Sequence, residues 1–191
     1  QFVSTNLDFS GDANLNSLFA PGNVIQNTAV INSGTKNIGI IGVTTPELPD
    51  VSNPGGVTVL GSNPNDVGDN QAALDLANIV NNAATDLRNQ GADHVIMAGH
   101  LQGLTFDKLV ADNLTGIDAI IAAGGGELMQ DAGGHELITG ETPNTSFTFG
   151  QLFNGIPVAT TPGGYNHVGQ LVLDFDANGN FTQLIDESGN L

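Results

Sequence analysis

A histidine that follows an apolar run is the clearest candidate in this sequence for a chemically active residue. In the segment VIMAGHLQGLTF, three strongly apolar residues and an Ala-Gly pair directly precede His100. Such a run, bounded by glycine, is typical of a buried strand that ends in a loop. An imidazole at this point can bind a metal ion, although a histidine after a buried strand is more often a hydrogen-bonded structural residue.

A glycine-rich segment follows the next apolar run of the sequence. Residues 117–123 are followed by Gly124, Gly125 and Gly126, and then by Glu127. Successive glycines let a backbone approach a metal or a phosphate without clashes from Cβ atoms. They equally allow a tight turn with positive φ. The segment therefore has two interpretations, a substrate-facing loop and a simple turn.

Helix and strand patterns alternate around both segments. A helix is predicted from Asp69, its expected cap, to a stop at Gly91, since apolar residues recur at spacings of three and four. The strand that ends at His100, a short helix over 106–111 and a strand over 117–123 follow. Strand, helix and strand predict a parallel α/β unit, whose ligands are expected at the carboxyl ends of the strands. Both candidate segments lie at such ends.

The remaining segments predict strands, turns and one long loop. Residues 2–9 predict a short strand, and residues 28–45 predict a hairpin. The run 45–68 is rich in Pro, Gly, Asn and Asp, which predicts a long surface loop. Residues 176–180 predict the turn of a terminal hairpin. A calcium loop is disfavoured there, because its twelfth position would be Ile185 instead of a bidentate glutamate.

Composition limits the class of protein. The 191 residues suit one domain, and the 20 acidic against 3 basic residues give a formal net charge of -17. This charge repels phosphate backbones and excludes nucleic-acid polymers as partners. The acidic residues are scattered among 39% hydrophobic residues, which predicts a solvated or salt-adapted surface. No apolar run reaches the ~18 residues that span a bilayer.

Cysteine content and composition bear on the cellular location. The chain has no cysteine, which excludes disulfides and thiolate metal sites without fixing the compartment. It begins with Gln1, so we expect either a removed signal or pro-segment or a piece of a longer protein. Few lysines and many Asn, Gly and Thr residues favour an extracellular or periplasmic location.

Five segments resemble the second half of the catalytic domain in the metallophosphoesterase family. In order they are FVSTNLDF, KNIGIIGVTTPE, GADHVIMAGHLQG, IDAIIAAGGGE and IPVATTPGGYNHVGQLVLDFDANGN. The likeness covers nearly all of residues 1–191 and is closest to the secreted bacterial 5'-nucleotidase branch. It implies an α/β fold that is half of a four-layer α-β-β-α sandwich, with a mixed sheet, flanking helices and a C-terminal β-hairpin. It also implies phosphate-ester hydrolysis by water that divalent metal ions activate.

The resemblance also implies site residues. The AGH segment matches a metal ligand of the family at His100. The family's Gly-His-x-His segment falls at Gly124 to Gly126, where this chain has no histidine, and Glu127 is predicted to replace an imidazole by a carboxylate. The ion could be Mn, Mg, Zn or Ca, and a carboxylate suits Mg, Mn or Ca. Three further histidines are predicted to be structural or exposed: His94, His135 and His167.

Of the family's first-half segments, Asp-x-His and Gly-Asn-His-Glu do not occur in this sequence, and Gly-Asp occurs only as the isolated pairs Gly11-Asp12 and Gly68-Asp69. We therefore expect a partner, either an N-terminal half or a second chain, that completes the sandwich and supplies a bridging Asp and the catalytic acid. Alone, the chain would expose strand edges and one face of its sheet.

Two functions follow from the sequence. The first is part of a metal-dependent enzyme that hydrolyses small phosphate monoesters such as nucleotides. The alternative is a non-catalytic extracellular structural or interaction protein on a degenerate phosphoesterase scaffold. The missing first half, the acidic surface and the absence of histidine at Gly124 to Gly126 favour the alternative. His100 in its AGHLQG context favours the enzyme.

Overall fold

The computed structural model of the chain describes residues 1–130, 140–164 and 166–184. Its strands are β1 (Phe2–Val3), β2 (Leu7–Asp8), β3 (Ile25–Gln26), β4 (Thr28–Ser33), β5 (Lys36–Thr44), β6 (Thr58–Val59), β7 (His94–His100), β8 (Ala119–Ala123), β9 (Met129–Gln130), β10 (Asn144–Thr148), β11 (Gln151–Phe153), β12 (Ile156–Ala159), β13 (Leu173–Phe175) and β14 (Phe181–Leu184). Its helices are α1 (Ala13–Asn16), α2 (Leu48–Val51), α3 (Pro64–Val67), α4 (Asp69–Asn89) and α5 (Leu104–Ala111). Within the described ranges, none of the helices is both long and apolar enough to span a membrane.

A six-stranded mixed sheet forms the centre of the fold, in the order β11-β12-β8-β7-β5-β4. The inner strands β12, β8, β7 and β5 run parallel, and the edge strands β11 and β4 run antiparallel to their neighbours. The predicted mixed sheet and parallel α/β unit are thus confirmed. The two predicted hairpins are also confirmed, as β4–β5 and β13–β14.

The longest helix, α4, presents an apolar stripe to the core. Its buried residues recur at helical spacing: Ala72, Ala73, Leu76, Ala77, Val80, Ala84 and Leu87. The N-cap is Gly68, with φ of 83°, and Asp69 is the first helical residue. The predicted capping role of Asp69 is therefore wrong, because a residue inside the helix no longer has the extended backbone of a cap. Its carboxylate still favours this end through the helix dipole.

The predicted loop over 45–68 contains three short elements, α2, β6 and α3. Pro49 and Pro64 lie in the first turns of α2 and α3, where the fixed φ of proline suits a helix and its missing N–H costs nothing. β6 pairs antiparallel with β2. Proline and glycine content correctly signalled irregular backbone here, but it did not distinguish single helical turns from loop.

The predicted strand over 2–9 is divided into β1 and β2 by residues 4–6, which end at Asn6. Asn6 is fully buried. Its Nδ2 donates to the carbonyls of Thr44 at 2.7 Å and Leu60 at 3.3 Å, and its Oδ1 accepts from the Thr44 N–H at 2.9 Å. The amide thus satisfies backbone groups at the end of β5 and attaches the N-terminal segment to the sheet.

The two faces of the central sheet differ in burial. On the helix side, three aligned residues of neighbouring strands are fully buried: Ile41, Met97 and Ile120. On the other side, Ala98, His100, Ile121 and Ala123 are exposed, and Ile121 is 53% exposed. We call these four residues the open face. The expectation that the chain leaves one sheet face uncovered agrees with this pattern.

Candidate functional site

His100 lies where the parallel strands of the sheet end together. It is paired in register with Thr44 at the end of β5 and with Ala123 at the end of β8. Val95 and Met97 are buried on the helix side, so the alternation along β7 directs His100 to the open face. The side chain is therefore exposed. This edge is the one at which parallel sheets bind their ligands.

Gly124 lies directly against the ring of His100. A Cβ atom placed on Gly124 would come within 2.9 Å of both Cε1 and Nδ1 of His100. The backbone of Gly124 also has φ of 99°, which residues with a side chain rarely adopt. Glycine is thus required here by its conformation and by its contact with the imidazole. The turn interpretation of the glycine segment fits this geometry, and a substrate-facing role stays a prediction.

Glu127 lies in the same loop and caps α5. Its Oε1 accepts a hydrogen bond of 3.0 Å from the backbone N–H of Leu104. Leu104 begins α5, two residues earlier than predicted, and the N-cap Gly103 has no side chain to offer. A Cβ atom on Gly125 would lie 1.8 Å from Oε2 of Glu127, so Gly125 makes room for the carboxylate. Uncapped N–H groups and the helix dipole favour a negative charge at this position.

Asp107 is a buried acidic residue that the sequence analysis missed. It is 1% exposed, and within the described residues its Oδ1 has no hydrogen-bond partner. Burial, and secondarily the charge of Glu127, raises the pKa of Asp107 to about 8. A signal did exist in the sequence. Asp107 lies three residues after Leu104 and three before Val110, two buried positions of α5, which places it on the apolar face.

Two other histidines have partners of their own. The ring of His94, at the amino end of β7, lies 4.1 Å from the ring of Phe175, measured between centroids. Nε2 of His167 lies 2.8 Å from Oε1 of Glu141. These contacts agree with the structural roles predicted for them. His135 lies outside the described residues.

The chemistry of these side chains allows one of them to be a metal ligand. The exposed imidazole of His100 suits a divalent cation. Glu127 fits this role less well, because one of its two oxygens already accepts the Leu104 N–H. Across the ranges that the structure describes, no group of three or more His, Asp or Glu side chains is arranged to hold a metal ion.

Three known proteins show what this chain is similar to. It is 30% identical over 172 residues to the snake venom 5'-nucleotidase of Crotalus adamanteus, a match that covers 84% of the chain and 24% of that protein. Its fold matches the NAD nucleotidase of Haemophilus influenzae with a TM-score of 0.66 and 22% identity, over 96% of this chain and 33% of that one. For the 5'-nucleotidase precursor of Thermus thermophilus, the TM-score is 0.63 with 22% identity, over 95% and 32%. No protein-family profile matches.

The fold is therefore that of the nucleotidases and of the calcineurin-like phosphoesterases. The chain belongs to the metallophosphoesterase family, in its 5'-nucleotidase-like branch. The resemblance seen in the five sequence segments is thereby confirmed. The chain spans about a quarter of the length of the curated relatives that it matches.

Proposed function

We propose that this chain is part of a metal-dependent phosphoesterase that hydrolyses phosphate monoesters such as nucleotides. The observation that carries the proposal is the exposed imidazole of His100 at the carboxyl end of a parallel strand. Similarity to 5'-nucleotidases supports phosphate-ester chemistry. A divalent ion, Mn, Mg, Zn or Ca, would supply the activated water.

In this proposal His100 binds the metal, and the adjoining loop receives the phosphate. The imidazole projects from the open face beside Gly124. Gly124, Gly125 and Gly126 offer backbone without Cβ atoms, so a phosphate oxygen can approach closely. Glu127 is left out of the proposed ligand set, because Oε1 accepts the Leu104 N–H. Its role as a ligand stays a prediction.

The open face is proposed to pack against a second layer, supplied by an N-terminal half of the protein or by a second chain. Ala98, Ile121 and Ala123 expose apolar surface in the middle of the sheet. Contiguous apolar surface of this kind marks interaction sites. The match to about a quarter of the relatives' length supports a larger catalytic unit. His100 would then lie at the rim of this interface, where the second layer can add ligands.

An extracellular or periplasmic location is part of the proposal. A venom nucleotidase among the relatives supports it. The net charge of -17 suits a solvated surface outside the cell and disfavours binding to nucleic-acid polymers.

The test is phosphate release from a nucleoside monophosphate by the full-length protein, with Mn²⁺, Mg²⁺, Zn²⁺ or Ca²⁺ and with a chelator. We expect hydrolysis that requires one of these ions. His100→Ala should lower kcat/KM by about 100-fold or more, because loss of a ligand exceeds the effect of losing a residue that only supports one. His94→Gln is the matched control, since it changes the other histidine of the same strand and should leave hydrolysis intact.

If the chain is instead a non-catalytic scaffold, the opposite result is expected. The absence of histidine from Gly124 to Gly126 favours it. It predicts no phosphate release with any of the four ions, and Mn²⁺ binding that is unchanged in His100→Ala. Either outcome would overturn the proposed role of His100.

A further inference from the structure

Glu127 joins the loop after β8 to the first turn of α5. The backbone N–H groups of that turn need acceptors from outside the helix. Gly103, the N-cap residue, cannot provide one from a side chain, and Oε1 of Glu127 accepts the N–H of Leu104 instead. The cap therefore comes from a residue 23 positions further along the chain. Such a contact fixes the distance between the loop and the helix.

The other oxygen of Glu127 is also confined. Oε2 occupies the space that a side chain on Gly125 would need, 1.8 Å from the position of its Cβ. The carboxylate thus lies across the turn at Gly125, and the preceding residue, Gly124, supports the ring of His100. Movement of the Glu127 side chain would free the turn that holds the imidazole in place.

Asp107 adds a second acidic group beside Glu127. It is buried and its Oδ1 has no partner among the described residues. Two neighbouring carboxylates do not both ionise easily in such surroundings. Glu127 has a backbone N–H to stabilise its charge, whereas burial and the charge of Glu127 raise the pKa of Asp107 to about 8.

We propose that Glu127 is a positioning residue and not a metal ligand: it caps α5 and holds the Gly124–Glu127 turn against His100. The inference rests on the proposed function of His100. The sequence predicts that the Glu127 carboxylate takes the place of a metal-binding imidazole. In this inference the carboxylate has a structural role instead. Capping requires a side-chain oxygen that accepts the Leu104 N–H, whereas metal binding requires the negative charge of the carboxylate.

Two substitutions separate these requirements. Glu127→Gln keeps an oxygen that can accept the Leu104 N–H and removes the charge, whereas Glu127→Ala removes both. In the full-length protein, Glu127→Gln should bind Mn²⁺ within about threefold of the wild type, and Glu127→Ala should bind it about tenfold more weakly, as loss of an orienting residue does. Asp86→Asn is the control for charge, since Asp86 is exposed on α4.

Hydrogen exchange at the Leu104 amide gives a readout that needs no metal. Protection of this amide should persist in Glu127→Gln and fall in Glu127→Ala, because only the alanine variant removes the oxygen that accepts the Leu104 N–H. Loss of Mn²⁺ binding in Glu127→Gln as severe as in His100→Ala would overturn the inference while leaving the proposed function intact. Unchanged Leu104 protection in Glu127→Ala would overturn it as well. Wild-type Mn²⁺ affinity in His100→Ala would instead overturn the proposed function, and the exchange data would still decide the role of Glu127.

Discussion

His94 and His100 lie at opposite ends of β7 and on the same face of the strand, but their surroundings differ. At the amino end, the side chain of His94 is 14% exposed, and the ring of Phe175 from the terminal hairpin covers it. The Asp118 carboxylate there accepts hydrogen bonds from the Val95 N–H at 2.7 Å and from the Arg88 guanidinium at 2.5 Å.

At the carboxyl end, the side chain of His100 is exposed and its ring lies against Gly124. The amino end of the sheet thus contains the partly buried contacts of Asp118 that stabilise the fold, and the carboxyl end leaves an exposed imidazole. This division follows the general rule for parallel sheets, in which ligands bind where the strands end. Substitutions at the two ends should therefore affect different properties.

The largest effect on stability is expected at the amino end, from Asp118→Ala. This change leaves the Val95 N–H without its acceptor and the half-buried Arg88 without its counter-charge. We expect a loss of about 3 kcal/mol in the free energy of unfolding, measured by urea denaturation of the full-length protein. Asp112→Ala is the control, because the Asp112–Lys108 pair is exposed and should contribute less than about 1 kcal/mol. Similar losses in both variants would contradict the assignment of Asp118 as the stabilising centre.

An effect that is smaller per pH unit is expected at the carboxyl end, from the titration of Asp107. Burial and the charge of Glu127 raise its pKa from 3.8 to about 8, so the folded state holds a proton that the unfolded state releases. The stabilising contribution is complete below about pH 4 and is lost as the pH rises through about 8. Its slope is at most about 1.4 kcal/mol per pH unit.

Asp107→Asn isolates this contribution, because the amide does not titrate. The free energy of unfolding of the wild type, relative to this variant, should fall as the pH rises from 5 to 8. Urea denaturation at four pH values would measure the difference. Parallel curves for the two proteins would show that Asp107 keeps an ordinary pKa.

Much of the fold could be predicted because its signals are local. The spacing of apolar residues in α4 and the apolar runs of β5, β7 and β8 each follow from sequence neighbours. The single turns α2 and α3 could not be distinguished from loop, because proline, here Pro49 and Pro64, occurs both in the first turn of helices and in loops. The sequence predicts Asp69 as the cap of α4, because aspartate is a common N-cap, yet Gly68 adopts the cap position.

The candidate site could be predicted only in part. The AGH segment predicts a metal ligand at His100, and the order of strands correctly predicts that this residue lies beside Gly124. The partner of Glu127 could not be found in the sequence, because the Leu104 N–H is a backbone group brought near by folding. Asp107 was hidden for a similar reason. Its helical spacing places it on the buried side, and burial is the main cause of its raised pKa, but the second cause, the charge of Glu127, is brought near only by folding.

The smallest effect is expected for the stability of His100→Ala. The imidazole is exposed and lies on Gly124, so its removal should change the free energy of unfolding by no more than about 0.5 kcal/mol. His94→Ala gives the comparison within the same strand. It removes a ring that packs on Phe175, and we expect a loss of about 1 kcal/mol. Thermal and urea denaturation of both variants, run with the assay for phosphate release, would test the division between the two ends of β7. If His100→Ala unfolds more readily than His94→Ala while the surviving folded fraction binds Mn²⁺ normally, then His100 is a structural histidine and the division does not hold.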